Sequence, residues 1–283
     1  MTRQPRKWSY KKLIGIVVLI LFLSFGYGYV RKARAAAALE ASNRGLQQII
    51  DTWATQQSFN SSVVVTGLNG DQHIAGRNTA NQMVTASTYK LFVAYATLHE
   101  VEQGKYTMNT RLGTGQTVNS ALQKMILYSD NDSGKALGLL VGWQRADQLA
   151  AEAGATNTFL NNYDKYGNLS RADKHTTATD LTTLIDKLED GTLLNASDTQ
   201  LLLGLMKTQI HRERIPAGVP DSVAVADKPG WLLVSEGDGE NIENDAAVVY
   251  GPKATYSLVI MTDGNSTQAL ADLSQLVYNY LEQ

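Results

Sequence analysis

The polarity pattern divides the chain into a short N-terminal region and a long remainder. Residues 13–30, LIGIVVLILFLSFGYGYV, form an uncharged, mostly apolar run of eighteen. At about 1.5 Å per residue this is roughly 27 Å of helix, close to the thickness of a bilayer core. Residues 36–57 are Ala-rich, and Leu39, Leu46, Ile49, Ile50 and Trp53 recur at helical spacing. In SSVVVTGLNGDQHIAG, Val63 to Val65 are a β-branched run, and Leu68-Asn69-Gly70-Asp71 puts Asn-Gly at the centre of a turn. That pattern predicts a hairpin. From Ser87 to about Gln103 the spacing predicts a helix. Residues 105–205 contain amphipathic segments and loops with no convincing strand. Strands return at 221–234 (DSVAVADKPGWLLV), 245–251 (DAAVVYG) and 255–264 (TYSLVIMTDG). A last helix begins near Ser266, a good cap, with Leu270, Leu273, Leu276, Val277, Tyr280 and Leu281 on one stripe.

Strands thus occur early and late, with a helical block between them. The early and late strands are expected to share one antiparallel sheet, flanked by the N- and C-terminal helices. This is an α+β architecture with an inserted all-helical lobe. A site is expected in the groove between the sheet edge and that lobe.

Charge sharpens the division. Arg3, Arg6, Lys7, Lys11 and Lys12 precede the apolar run, so the N-terminus is expected in the cytoplasm and the rest outside. The organisation read from this is a basic cytoplasmic arm (1–12), a transmembrane signal-anchor (13–30) and an extracytoplasmic domain (31–283). Localisation is then a single-pass cell membrane protein. The small residues of ARAAAA offer a signal peptidase a site, and cleavage there would give a secreted form. Residues 1–34 hold eight of the 25 Lys and Arg and no acid, leaving 17 basic against 27 acidic side chains in the remainder. So acidic a domain is a poor partner for nucleic acid. The absence of cysteine removes disulfides, thiolate nucleophiles, cysteine-ligated metals and a lipidated cysteine. His73, His99, His175 and His211 show no metal-ligand spacing. No metal or organic cofactor is expected. The chemistry is left to Ser, Lys, Tyr, Asn and carboxylates.

Three short motifs fit that inventory. In TASTYK, Ser87 and Lys90 lie three apart, so on a helix the amine can reach the hydroxyl. A lysine desolvated in a cleft can lose its proton and act as a base toward that serine. A helix N-terminus also aims backbone N–H groups at a developing oxyanion. Ser129-Asp130-Asn131 follows 42 residues later, where the helical pattern of Leu122, Met125 and Ile126 breaks. A new helix is expected there, capped by Asp132 or Ser133. Lys228-Pro229-Gly230 ends an alternating strand. None of the three stands alone: SxxK recurs at Ser9–Lys12 and KxG at Lys165–Gly167.

Taken together and in this order, SxxK, SDN and KxG make the chain resemble the class A β-lactamases and penicillin-binding proteins. TTATDLTTLI (176–185), RIPAGVP (214–220) and DAAVVYG share the resemblance, which covers roughly residues 40–283. It implies a β-lactamase/transpeptidase-like fold and a serine hydrolase acting through an acyl-enzyme. By resemblance, Ser87 is the acylated nucleophile and Lys90 helps remove its proton. Ser129 passes a proton to the leaving nitrogen. Asn131 bonds the substrate side chain and helps hold Lys90. Lys228 of the Lys228–Gly230 motif attracts a substrate carboxylate and tunes Ser129, and the N–H groups of Ser87 and Trp231 form the oxyanion hole.

Two departures stand out. Pro229 occupies a position where the family has Thr or Ser, so a hydroxyl is missing and φ is fixed. The family's deacylating loop Glu is also absent, since no Glu occurs between Glu152 and Glu189. Asp164, followed by Asn168 in YDKYGN, is the nearest match, and a solvated loop carboxylate is the other reading of it. The implied partner is a β-lactam or a peptidoglycan stem peptide. The alternatives are a D-Ala-D-Ala peptidase or other cell-wall acyl hydrolase, and a non-catalytic penicillin-binding-like sensor. Tyr89 and Tyr128 are read as packing or groove walls; His175, Arg212 and Arg214 as surface or structural.

Overall fold

The computed structural model describes residues 10–69, 74–161, 174–233, 241–264 and 267–283, with the backbone alone for 10–13 and 15–27. The chain forms two units, Met1–Arg44 and Gly45–Gln283. The first unit is helical from Tyr10 and carries an exposed Arg44–Glu40 pair at 2.5 Å. Among the described residues no helix is long and apolar enough to cross a membrane. The side chains of the run 13–30 fall outside the description apart from Ile14 and residues 28–30.

The second unit begins at Gly45. Helix α1 (Tyr10–Thr55) contributes Leu46, Ile50 and Trp53 to it, all buried. A five-stranded antiparallel sheet follows, in the order β2-β1-β7-β6-β5. Its strands are β1 (Ser61–Gly67), β2 (Ile74–Arg77), β5 (Ala224–Leu232), β6 (Ile242–Tyr250) and β7 (Thr255–Thr262). Early and late strands meet as expected, Val63 facing Ile260 and Val65 facing Leu258 across β1 and β7. The turn centred on Asn69-Gly70 runs into residues outside those described.

The central strands read as continuous apolar runs because both faces are covered. Alternate residues go to different cores. Val64, Ala226, Ala246, Val248, Val259 and Met261 face the helical lobe. Val63, Val65, Val225, Ala247, Val249, Leu258 and Ile260 face Leu46, Ile50 and Trp53 of α1 and Leu270, Leu273 and Val277 of α8 (Thr267–Leu281).

The lobe consists of α2 (Tyr89–Glu102), α3 (Val118–Leu127), α4 (Asn131–Val141), α5 (Trp143–Glu152), α6 (Ala178–Glu189) and α7 (Ala196–Lys207). Four of its six helices begin on side-chain caps. Thr117 and Ser120 form a reciprocal capping box on α3, Thr177 caps α6 and Asn195 caps α7.

The structure corrects four expectations. The chain from 86 to 88 is a 3₁₀ turn, and α2 starts at Tyr89. Asp130, not Asp132 or Ser133, caps α4 by accepting the Ser133 N–H at 2.8 Å. A two-residue pair, β3 (Met83–Val84) with β4 (His175–Thr176), lies in and beside the block read as strandless. Strand β6 begins at Ile242 rather than 245. Its extra residues include Glu243 and Asn244, polar side chains that are buried and hydrogen-bonded.

Trp53 is 2% exposed and its indole N–H donates to the Ala269 carbonyl at 3.0 Å. Trp53→Ala is expected to lower the unfolding free energy by about 3–5 kcal/mol in chemical denaturation. A loss below about 1 kcal/mol would mean that α1 does not close this core.

Candidate active site

The nucleophile candidate sits where strand, turn and helix meet. Ala86, just before Ser87, has φ +44°. That conformation is strained for a residue with a side chain. It is held by packing and by hydrogen bonds. The Ala86 methyl is buried with Leu232 and Ile242. Asn244 donates to the Val84 and Thr85 carbonyls at 2.9 and 3.1 Å, and Thr88 Oγ1 donates to the Thr85 carbonyl at 2.7 Å. Strand β5 presses on the same turn: a Cβ on Gly230 would stand 2.7 Å from the Ser87 nitrogen and 2.8 Å from that of Thr88. Only glycine allows that approach.

Lys90, one helical turn on, is fully buried. Its Nζ lies 3.0 Å from Ser87 Oγ, 3.2 Å from Ser129 Oγ, 2.8 Å from Asn131 Oδ1 and 2.5 Å from the Ser129 carbonyl. Two of these four oxygens are carbonyls that can only accept. The amine's N–H groups can serve these acceptors while its nitrogen stays within reach of both hydroxyls. Helix α4 comes this close because Gly134 has no side chain; a Cβ there would lie 3.2 Å from Lys90 Cε.

Ser129 joins α3 to α4 at φ +55° and is buried. Its hydroxyl is shared: Lys228 Nζ donates to it at 2.9 Å and to the Pro229 carbonyl at 2.7 Å. Lys228 does not end its strand. It stands inside β5, fully buried. Desolvation pushes its amine down to about 7, against the opposing pull of Asp227 and Asp245. Burial would raise the neighbouring Asp130 carboxyl, but hydrogen bonds from Ser133 and the charges of Lys90 and Lys124 hold it below its usual range.

The structure therefore joins Ser87, Lys90, Ser129, Asn131 and Lys228 in one hydrogen-bonded chain, with Gly230 against the Ser87 turn and Trp231 next to it on β5. Asp164 and Asn168 lie outside the described residues. The flanks of their segment are anchored. Lys174 Nζ donates to the Leu160 carbonyl at 2.9 Å, and the Thr85 N–H donates to the Lys174 carbonyl at 2.8 Å. Asp147, its carboxyl raised chiefly by burial, accepts the Leu160 N–H at 2.6 Å. Among the described residues, no group of three or more His, Asp or Glu could hold a metal ion.

Tyr89 is packing: buried, its ring is 6.0 Å from that of Trp143. Tyr128 is 55% exposed. Arg212 and Arg214 are structural, bonded to Asp227 at 2.5 Å and Glu243 at 2.6 Å. His175 serves through its main chain in β4. Asn244, Asp147, Lys174 and Glu243 are support residues that sequence reasoning missed. Each is an isolated polar residue whose partner is distant in sequence.

A serine in a strained turn, a buried amine beside it and a second hydroxyl between two amines equip a serine hydrolase that works through an acyl-enzyme. A family model described as "Beta-lactamase enzyme family" matches residues 44–281. The chain belongs to the β-lactamase enzyme family. Among solved structures, the TLA-1 extended-spectrum β-lactamase superposes with a TM-score of 0.77 at 17% identity, over 86% of this chain and 100% of that one. PBP-A superposes with a TM-score of 0.73 at 22% identity, over 84% of this chain and 96% of that one. An ancestral class A β-lactamase (the last common ancestor of Gram-negative bacteria) gives 0.73 at 20%, over 83% and 99%. No curated protein sequence matches.

The Lys228 amine is depressed below its unfolded range near 10.4, so the unfolded chain binds the proton more tightly between about 7 and 10. Stability attributable to this group therefore rises as pH goes from 7 to 9 and is lost on the way back down. The melting midpoint is expected to carry such a rise, and Lys228→Gln to flatten it. Equal slopes for the two proteins would refute a desolvated Lys228.

Proposed function

We propose that Ser87 is the nucleophile and that its acyl donors are β-lactams. The observation supporting this is the Ser87–Lys90–Ser129–Lys228 chain of hydroxyls and amines, every link 3.2 Å or less. In this reading Ser87 Oγ attacks the lactam carbonyl and its proton goes to Lys90 Nζ. The N–H groups of Ser87 and Trp231 receive the oxyanion. The C–N bond then breaks, Ser129 gives its proton to the nitrogen, and Lys90 returns one to Ser129. Asn131 and Lys228 hold these two groups, and Asn131 also meets the substrate side chain. Family membership supports the reaction class. One of the fold relatives was solved as an acyl-enzyme complex with penicillin G, a PBP-A variant at 22% identity.

Asp164 is assigned to activate the deacylating water. Its support is indirect: the segment that carries it is anchored at Leu160 and Lys174, and Lys174 is tied to Thr85, two residues before Ser87. Being one methylene shorter than a glutamate, it is expected to deacylate slowly. In the same reading the N-terminal region is a cytoplasmic arm (1–12) and a membrane anchor (13–30) with the hydrolase outside, supported by the basic flank and the length of the apolar run.

An intact-mass time course with a penicillin tests the site. Ser87→Ala is expected to give no adduct. Asp164→Ala is expected to form the adduct normally and to retain it at least about tenfold longer, the low end of what a positioned base contributes. An adduct on Ser87→Ala would exclude Ser87, and unchanged decay in Asp164→Ala would exclude Asp164. Gly230→Ala must push the Ser87 turn aside, and acylation is expected to slow about 100-fold. Normal acylation in that variant would show that the close approach of β5 does not set the geometry.

A further inference from the structure

Helix α6 lies across β1 and β7. Thr179, Thr182, Thr183 and Asp186 stand at i, i+3, i+4 and i+7 along it, so they share one face. With Val64 and Thr66 of β1 and Ala75 of β2, that face lines a cavity of about 300 Å3. Thr66 pairs with Ile74 of β2 on one side and with Ser257 of β7 on the other. None of the Ser87–Lys90–Ser129–Lys228 chain lines this cavity.

The α6 face offers acceptors. Its threonine hydroxyls have already given their protons to carbonyls: Thr179 Oγ1 to Thr79 at 2.9 Å, Thr182 Oγ1 to Ala178 at 2.8 Å and Thr183 Oγ1 to Thr179 at 2.9 Å. Each oxygen keeps lone pairs and has no proton left for a guest. An ionised Asp186 can only accept as well. Its Oδ1 is buried without a hydrogen-bond partner, and so is Ser257 Oγ. Among the described residues no Lys or Arg forms an ion pair with Asp186. Desolvation lifts its carboxyl to about 6, with Ser257 opposing and Asp190 adding to the rise. A carboxylate in such a place takes up a proton or meets a cation.

The space available selects among cations. A water molecule has a share of roughly 30 Å3 in the liquid, so one dehydrated inorganic ion would leave most of the cavity unfilled. The volume of about 300 Å3 matches the low end of small-molecule sites. Val64, Ala75 and the threonine methyl groups provide an apolar lining beside the row of oxygens.

We propose that this cavity binds a primary alkylammonium with a short aliphatic stem. Its N–H groups go to the Asp186 carboxylate and to threonine lone pairs of α6, and its stem lies against Val64 and Ala75. The proposal does not rest on the acyl-enzyme reading of Ser87.

Isothermal titration calorimetry of the full-length protein tests it at pH 8, where Asp186 is ionised. The probes are n-pentylammonium chloride, n-pentanol and potassium chloride, each in sodium chloride of fixed ionic strength. Pentanol keeps the stem without the charge, and potassium keeps the charge without the stem. The expected result is one saturable site for pentylammonium, with the other two at least about tenfold weaker. Asp186→Asn removes the charge and keeps the size; it is expected to weaken pentylammonium at least about tenfold. Unchanged affinity in folded Asp186→Asn would overturn the proposal. Pentanol binding as tightly would reduce the cavity to an apolar one, potassium binding as tightly would make it an inorganic-ion site, and either overturns the proposal. So would the absence of saturable pentylammonium binding. If Asp186→Asn does not fold, Thr183→Val, which removes one of the lone-pair oxygens, is expected to weaken binding at least about threefold, and no change would count against the proposal.

Discussion

The rest of the molecule depends on one buried amine. Lys90 is fully enclosed, yet its Nζ touches two hydroxyls and two carbonyl oxygens. An amine without such partners would cost several kcal/mol to bury. The oxygens come from the turn before α2 and from the junction of α3 with α4. The helical lobe must therefore be packed before the amine is solvated by protein. The apolar core shared by α2, α3, α4 and α5 enforces that order of dependence: Phe92, Leu122, Met125, Ile126 and Leu137 are buried in one cluster.

The same amine needs the sheet. Strand β5 carries Lys228 to the far side of Ser129 and brings Gly230 against the Ser87 turn. Two residues with side chains, Ala86 and Ser129, stand at positive φ at this meeting point. Strain of this kind costs on the order of 1–3 kcal/mol per residue and persists only where surrounding packing over-determines it. Here the packing comes from Leu232 and Ile242 around Ala86, and from hydrogen bonds by Asn244 to the preceding carbonyls. Sheet and lobe are thus coupled through the reacting groups themselves.

Behind β5 the chain keeps an unusual number of ionisable groups from water. Asp245 is buried and lies on the strand opposite Pro229; desolvation lifts its carboxyl to about 6. Asp227 is pushed upward by burial and by Asp245, with Arg212 opposing. These groups, with Arg214 and Glu243, support the edge strand with hydrogen bonds where apolar residues would supply none.

Much of this was legible in the residue order. Short β-branched and apolar runs located β1, β5, β6 and β7, helical stripes located α1, α2 and α8, and the spacing of Ser87 to Lys90 fixed which hydroxyl an amine could reach. Three motifs in order pointed to the family. What the order could not supply were relations between residues far apart in it. The Asp130 cap, the place of Lys228 in mid-strand, the short β3–β4 pair and the extension of β6 through Glu243 all depend on partners from other elements. An isolated Glu or Asn reads as solvated until a guanidinium or a carbonyl meets it. The sequence by itself determined the elements and the reactive side chains, because local periodicity and i to i+3 geometry are properties of a single segment. Only the tertiary structure decided which of those side chains share one hydrogen-bonded chain and which cations are already engaged, because burial and pairing are properties of segments brought together.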